Sequence, residues 1–289
     1  MQAVTFYLVY PLMYLIASLP FGALYKLSDC LYVVLRWTSY RKEVIQKNLQ
    51  KSFPEKSSME IEMLVQQYYR YLCDLILEIL KTRTMTEEEA RERCIFHRAE
   101  WLDTLFDQNR SIIILMGHYG NWEWAGPSFT LNNRHQLVVI YLPLSNPYFD
   151  KMMVSMRTKF GTRITPANQT FRAMAVNREA ATATAFIADQ AAPLDNNHWM
   201  TFLNQDTSVF TGQAKVAIKF NYPIVYLNVK RSRRGYYDAY PELLFEQPKN
   251  NTEDEICETF MKRLEKEIAI DPVIWLWSHR RWKHVRHLQ

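Results

Sequence analysis

Four short apolar runs recur through the middle of the chain, separated by stretches of helical character. They are residues 111–116 (SIIILM), 136–141 (QLVVIY), 184–188 (TAFIA) and 223–229 (PIVYLNV). Residues 122–131, 148–160, 169–178 and 212–220 carry the helical spacing between and around them. Strands that alternate with helices have few ways to fold, because parallel neighbours need a crossover and the crossovers cover the sheet faces. The pattern predicts an α/β fold with a mostly parallel central sheet covered by helices. Ahead of the strands, residues 41–110 read as helical. Ile61, Leu64, Val65, Tyr68, Leu72, Leu75, Ile76 and Ile79 recur at helical spacing, with Ser57 or Ser58 as the cap. Thr86 heads a short charged helix over 86–94, and a last helix covers 253–268. With no internal repeat and no low-complexity linker, residues 41–289 read as one catalytic domain.

Residues 3–25 carry no charge. As one helix they would span roughly 34 Å at ~1.5 Å per residue, close to the thickness of a bilayer's hydrocarbon. Pro11 and Pro20 each remove a backbone donor, so a tilted or partly embedded segment fits as well as a clean span. The first charges, Lys26 onward, are mostly basic and place the downstream side in the cytoplasm. A second apolar stretch, residues 30–37, is too short to return across the bilayer; it lies along the interface or begins the domain. Residues 1–40 are accordingly expected to form a membrane anchor and interfacial segment, with a buried N-terminal core helix as the plainer alternative.

Composition removes several classes of function. Seven glycines, no G-x-G-x-x-G and no Walker-type loop leave nucleotide chemistry without its phosphate cradle. The four cysteines are scattered, with no C-x-x-C pair, as in a reduced chain without a disulfide framework or zinc site. A net charge of +5 suits an acidic partner without selecting among anionic lipid, nucleic acid and an acidic carrier protein.

The chemically suggestive stretch is ILMGHYGNWEWAG, residues 114–126. A strand ends at Met116, Gly117 and Gly120 break it, and helix resumes near Asn121, which can cap it. His118 therefore stands beyond the carboxyl end of a strand, where open α/β sheets bind their ligands. His118 and Glu123 would sit ~140° apart on a continuous helix, so they can meet only if His118 precedes the helix and folds back. A carboxylate on one imidazole nitrogen fixes the tautomer and leaves the other to take a proton from a hydroxyl. A metal reading lacks a second nearby histidine.

Here the chain resembles the lipid A late acyltransferases, the lauroyl and myristoyl transferases of Gram-negative bacteria. The resemblance runs in order through RKEVIQKNLQKSFPE (41–55), GHYGNWEWAG (117–126), LPLSNPYFD (142–150) and MRTKFGTRI (156–164). It continues through FIADQ (186–190) and TGQAKVAIKFNYPIVYL (211–227) to PVIWLWSHRRWK (272–283), the most specific block. It implies a glycerol-phosphate-acyltransferase-like sheet and transfer of a fatty acyl chain to a lipid A precursor hydroxyl by a His118–Glu123 general-base dyad. The donor would be a thioester on acyl carrier protein, with no cofactor and no metal, at the cytoplasmic face of the inner membrane. Arg157 matches an arginine near the family's active site, Asp189 an acidic residue able to pair with it, and Arg163 a phosphate or carrier contact. The chain departs from the family over residues 188–205, which are more polar and less rich in Gly and Phe.

Residues 275–277 (WLW) read as core, and the basic cluster SHRRWKHVRH (278–287) as a contact for anionic headgroups, not nucleic acid. Two alternatives stand beside this reading. One is an acyltransferase of the same fold acting on a lysophospholipid, an aminolipid or a pigment. The other is a non-catalytic lipid platform, which would be expected to have lost His118, Glu123, Arg157 and Asp189; all four are present.

Overall fold

The computed structural model describes residues 2–176, 181–192, 197–284 and 286. Each of the four apolar runs becomes a strand, and others join them: β1 (Cys94–Phe96), β2 (Ile112–Met116), β3 (Gln136–Tyr141), β4 (Arg163–Pro166), β5 (Thr182–Ile187), β6 (Asn197–Phe202), β7 (Gln205–Phe210), β8 (Ile224–Arg233) and β9 (Tyr236–Phe245). Seven of them form one sheet in the order β1-β9-β8-β2-β5-β3-β4, and β6 and β7 form a separate antiparallel hairpin. From β8 to β4 the five strands are parallel; β9 runs antiparallel to β8, and β1 parallel to β9. The mostly parallel sheet is thus the one the sequence predicts.

The helices are α1 (Gln2–Ser18), α2 (Phe21–Thr38), α3 (Lys42–Ser52), α4 (Ser58–Lys81), α5 (Glu87–Arg93), α6 (Glu100–Asp107), α7 (Trp122–Asn132), α8 (Pro147–Arg157), α9 (Thr170–Val176), α10 (Gly212–Phe220) and α11 (Glu253–Ile270). The expected helix over 169–178 is described only to residue 176; its last two positions lie outside the described residues. Ser57, Thr86 and Thr252 each cap a helix and receive the third-position glutamate in return, which satisfies two otherwise orphaned N–H groups at each end. Of the eight positions its spacing assigns to one face, helix α4 buries Ile61, Val65, Tyr68, Leu72 and Leu75, half-buries Leu64 and Ile79, and leaves Ile76 exposed.

All five residues of β2 are buried, because both faces of the sheet are covered. Ile113 and Leu115 join the core formed with α4 and α11. Ile112, Ile114 and Met116 join a second core under α7.

The N-terminal expectation needs correction. The uncharged stretch is not one helix: α1 runs through Pro11 but ends at Ser18, and extended backbone at Pro20 starts α2 in a new direction. At ~1.5 Å per residue the 17 residues of α1 reach only about 25 Å, short of the ~30 Å hydrocarbon core. Among the described residues, no helix is long and apolar enough to cross a membrane.

The 30–37 stretch lies inside α2, which is docked on α4. Ser28 donates to Asp74 (2.6 Å), Tyr25 donates to Glu78 (2.9 Å), and Arg234 bridges Asp74 and Asp29. Helix α1 packs through Phe6 on Tyr148 and Phe149 of α8. Its C-terminal part also lies against α4, where Ala17 is buried, while the outer side stays apolar and open, with Leu8 73% and Leu15 64% exposed.

Candidate active site

Strands β2 and β5 are parallel neighbours, so the residues just past their carboxyl ends emerge side by side. The Ala188 amide donates to the Met116 carbonyl (3.0 Å), which brings His118 against Asp189. The His118 ring Nδ1 lies 2.6 Å from Asp189 Oδ1, and the His118 backbone N–H donates to Asp189 Oδ2 (2.9 Å). Trp275 Nε1 donates to the same Oδ2 (2.8 Å). Burial alone would raise the Asp189 carboxyl, but His118 and these donors outweigh it and hold it down at about 2. An ionised carboxylate only accepts, so Nδ1 carries the hydrogen and Nε2 presents its lone pair. Gln190 Nε2 donates to that lone pair across 3.2 Å.

The loop carrying His118 is fixed from several sides. Gly120 N–H donates to Ile274 O, Leu276 N–H to His118 O, and Tyr71 OH to Gly120 O. Gly120 has φ +62°, and a Cβ there would come within 2.2 Å of the Val229 carbonyl oxygen. Glycine is required at this position for both reasons.

Asn121 caps α7 as expected, accepting from Trp124 N–H (3.0 Å), and its amide donates to Glu78 (2.8 Å). Glu123 stands in the first turn of α7 but does not reach the imidazole. Arg157, at the end of α8, clamps it with two hydrogen bonds of 3.0 and 2.5 Å. The carboxylates are therefore exchanged relative to the sequence expectation: His118 pairs with Asp189, and Arg157 with Glu123. The reason is topological. Asp189 leaves the strand next to β2, whereas Glu123 is carried away on a helix whose cap is already satisfied by Asn121. Arg163 begins β4 as an exposed residue and does not line the cavity described next.

His118, Glu123, Arg157 and Gln190 line one cavity of about 620 Å³. Its inner wall is apolar, made by Ile114 and Met116 of β2, Leu137 and Val139 of β3, Ala185 of β5 and Phe129 of α7.

Three contributors escaped sequence reasoning. Gln190 lies inside the FIADQ block but carries no pattern of its own. Trp275 was placed in the core, where it is 2% exposed, but its indole also serves Asp189. Within the basic cluster, Arg281 faces the interior at 3% exposure and donates to Ser208 O, while Arg280, Lys283 and Arg286 face outward.

The third contributor, beside Gln190 and Trp275, is Glu78, fully buried, which receives hydrogen bonds from Asn121, Tyr237 and Tyr25. Burial outweighs these donors and raises its carboxyl from the ordinary 4.5 to about 7. The folded chain thus holds this proton more tightly than the unfolded one. The associated stability is complete below about pH 4.5 and is lost as pH rises through about 7, at most roughly 3 kcal/mol. Glu78→Gln is therefore expected to gain stability relative to the native chain on going from mildly acidic to mildly alkaline buffer, read as the difference in urea midpoints. A pH-independent difference would contradict it.

Comparison with known proteins gives the chain's family. A family model described as bacterial lipid A biosynthesis acyltransferase matches residues 1–284. The chain is 27% identical over 118 residues to lipid A biosynthesis acyltransferase 2 of Shigella flexneri, covering 40% of this chain and 37% of that protein. It is 23% identical over 250 residues to the lipid A biosynthesis palmitoleoyltransferase of Escherichia coli (strain K12), covering 84% and 79% of the two chains. A lipid A biosynthesis acyltransferase of Shigella flexneri matches to the same extent.

Proposed function

The chain belongs to the bacterial lipid A biosynthesis acyltransferases, and from that premise we propose that it moves a fatty acyl chain from an acyl carrier protein thioester to a hydroxyl of a lipid A precursor, with His118 as general base. The observation that carries this is the imidazole held by a buried, ionised carboxylate at the mouth of an apolar cavity. The acceptor hydroxyl takes the place of Gln190 at Nε2 and gives up its proton there as its oxygen attacks the thioester carbonyl. The Gln190 amide, released, can donate to the oxygen that becomes negative. Collapse breaks the carbon–sulfur bond, and the proton on Nε2 passes to the departing thiolate. Asp189 stabilises the imidazolium between these steps. The acyl chain occupies the apolar cavity, and the net charge of +5 favours an acidic carrier.

The acceptor is a membrane lipid, and the exposed apolar side of α1 and α2 is the surface that meets it, at the cytoplasmic face of the inner membrane. Leu8, Leu15, Val33 and Trp37 are 73, 64, 63 and 86% exposed, an arrangement costly in water and favourable at a lipid interface. Residues 2–38 then lie on the bilayer without spanning it. The test is purified protein with acyl carrier thioester and lipid A precursor in anionic vesicles, read by mass spectrometry and flotation. An added acyl chain on the precursor is expected, and flotation should be lost when Leu8, Leu15 and Trp37 are changed to Asp. No acylated product, or undiminished flotation of the triple variant, would count against the respective half.

A further inference from the structure

We propose that Gly126 sets the length of acyl chain this protein accepts, an inference that rests on the acyl-transfer reading above. Gly126 lies in the interior of α7, where glycine costs about 1 kcal/mol relative to alanine. Pro127 follows it, and glycine avoids the clash that a Cβ on a helical residue makes with the ring of the next proline. Its backbone is not in the left-handed region, and beyond its chain neighbours and the backbone of its own helix no atom lies within 4 Å of the place a Cβ would occupy. What the missing side chain leaves is space, and that space belongs to the cavity that opens at His118.

The lining residues give the slot a direction. On β3 it extends from Tyr141 near the mouth to Leu137 at the floor, about 13 Å at ~3.3 Å per residue. An extended chain of single bonds advances ~1.2 Å per bond, as the peptide backbone does, so this depth takes roughly eleven bonds. On α7, Gly126 stands midway between Glu123 at the mouth and Phe129 at depth, with about 4.5 Å of helix on either side. A side chain at 126 would cross the slot halfway down. Leu137 and Phe129, both buried, close the far end.

The test is a chain-length profile of kcat/KM over a graded series of acyl carrier thioesters, with Gly126→Leu, Gly126→Ala and Leu137→Ala beside the native protein. Gly126→Leu is expected to move the optimum down by about four carbons, the ~4.5 Å it closes. At about fourfold per methylene denied burial, the ratio of long-chain to short-chain kcat/KM falls on the order of a hundredfold. Gly126→Ala should shift the profile the same way by about one carbon, and Leu137→Ala should shift it upward by about two. Opposite shifts cannot arise from partial unfolding, and the alanine variants carry the test if Gly126→Leu does not fold. A native protein that transfers acyl chains while the glycine variants keep its profile would overturn the gauge alone. A native protein that transfers none of the series would overturn the acyl-transfer reading instead.

Discussion

Replacing Asp189 by Asn is expected to lower kcat/KM by about 10³- to 10⁴-fold, nearly as far as His118→Ala, the scale seen when other enzymes lose the carboxylate behind a catalytic histidine. The hydrogen-bond pattern around Asp189 explains the size of the effect. Oδ2 accepts from two fixed donors, the His118 backbone N–H and the Trp275 indole. An asparagine must offer its carbonyl oxygen to them, which turns its amide NH2 toward Nδ1. Nδ1 then becomes the acceptor, and the hydrogen moves to Nε2, where a base needs a lone pair. Geometry is preserved and function is lost. Glu123→Gln should cost only about tenfold, because its contact is to Arg157 and not to the imidazole. The comparison is decided by steady-state kinetics on the three folded variants. Near-native activity of Asp189→Asn, with Glu123→Gln as damaged as His118→Ala, would restore the pairing that the resemblance implies.

Arg157→Ala is expected to be the most disruptive change outside the histidine–aspartate pair, costing on the order of 3 kcal/mol of stability and about 10²-fold in kcat/KM. The Arg157 and Glu123 side chains are only 28% and 11% exposed, and the guanidinium meets the carboxylate with two parallel bonds. Its removal strands a negative charge in the cavity wall beside His118, with α7 no longer held to α8. Arg157→Lys should recover little, since an ammonium cannot reproduce the two-pronged contact. Arg157→Ala combined with Glu123→Gln should be milder than Arg157→Ala alone, because the stranded charge is gone. A double-mutant cycle in urea measures this coupling; strictly additive losses would mean the pair contributes nothing of its own.

Much of the fold was legible because burial on two faces leaves continuous apolar runs. The strands β2, β3, β5 and β8 announce themselves in that way, and the helices α4 and α5 through their caps. Strand β9 did not, since its sequence YYDAYPELLF alternates with polar residues and contains Pro241. That proline is tolerable because β1 pairs only with residues 237–239, leaving one side of β9 open beyond them. The four principal site residues were also legible, and so was the position of His118 past a strand end. Their partners were not. Which carboxylate faces the imidazole depends on strand order, β5 lying beside β2, and neither spacing nor residue type encodes that order. Of the two forms the N-terminal segment could take, the clean span fails for a local reason: hydropathy averages across Pro20, whereas the backbone turns there, as the proline itself announces.

The stitching of residues 274–276 to the loop at 118–120 also has a consequence for biosynthesis. Translation delivers His118 and Asp189 long before Trp275, so a nascent chain can build much of its sheet while Asp189 still lacks its indole donor and Gly120 its Ile274 acceptor. The geometry of the candidate site is completed only when residues 274–276 have been made. A chain that stops short of residue 274 would lack both contacts and, with them, the buried indoles of Trp275 and Trp277 that complete the core beneath the site.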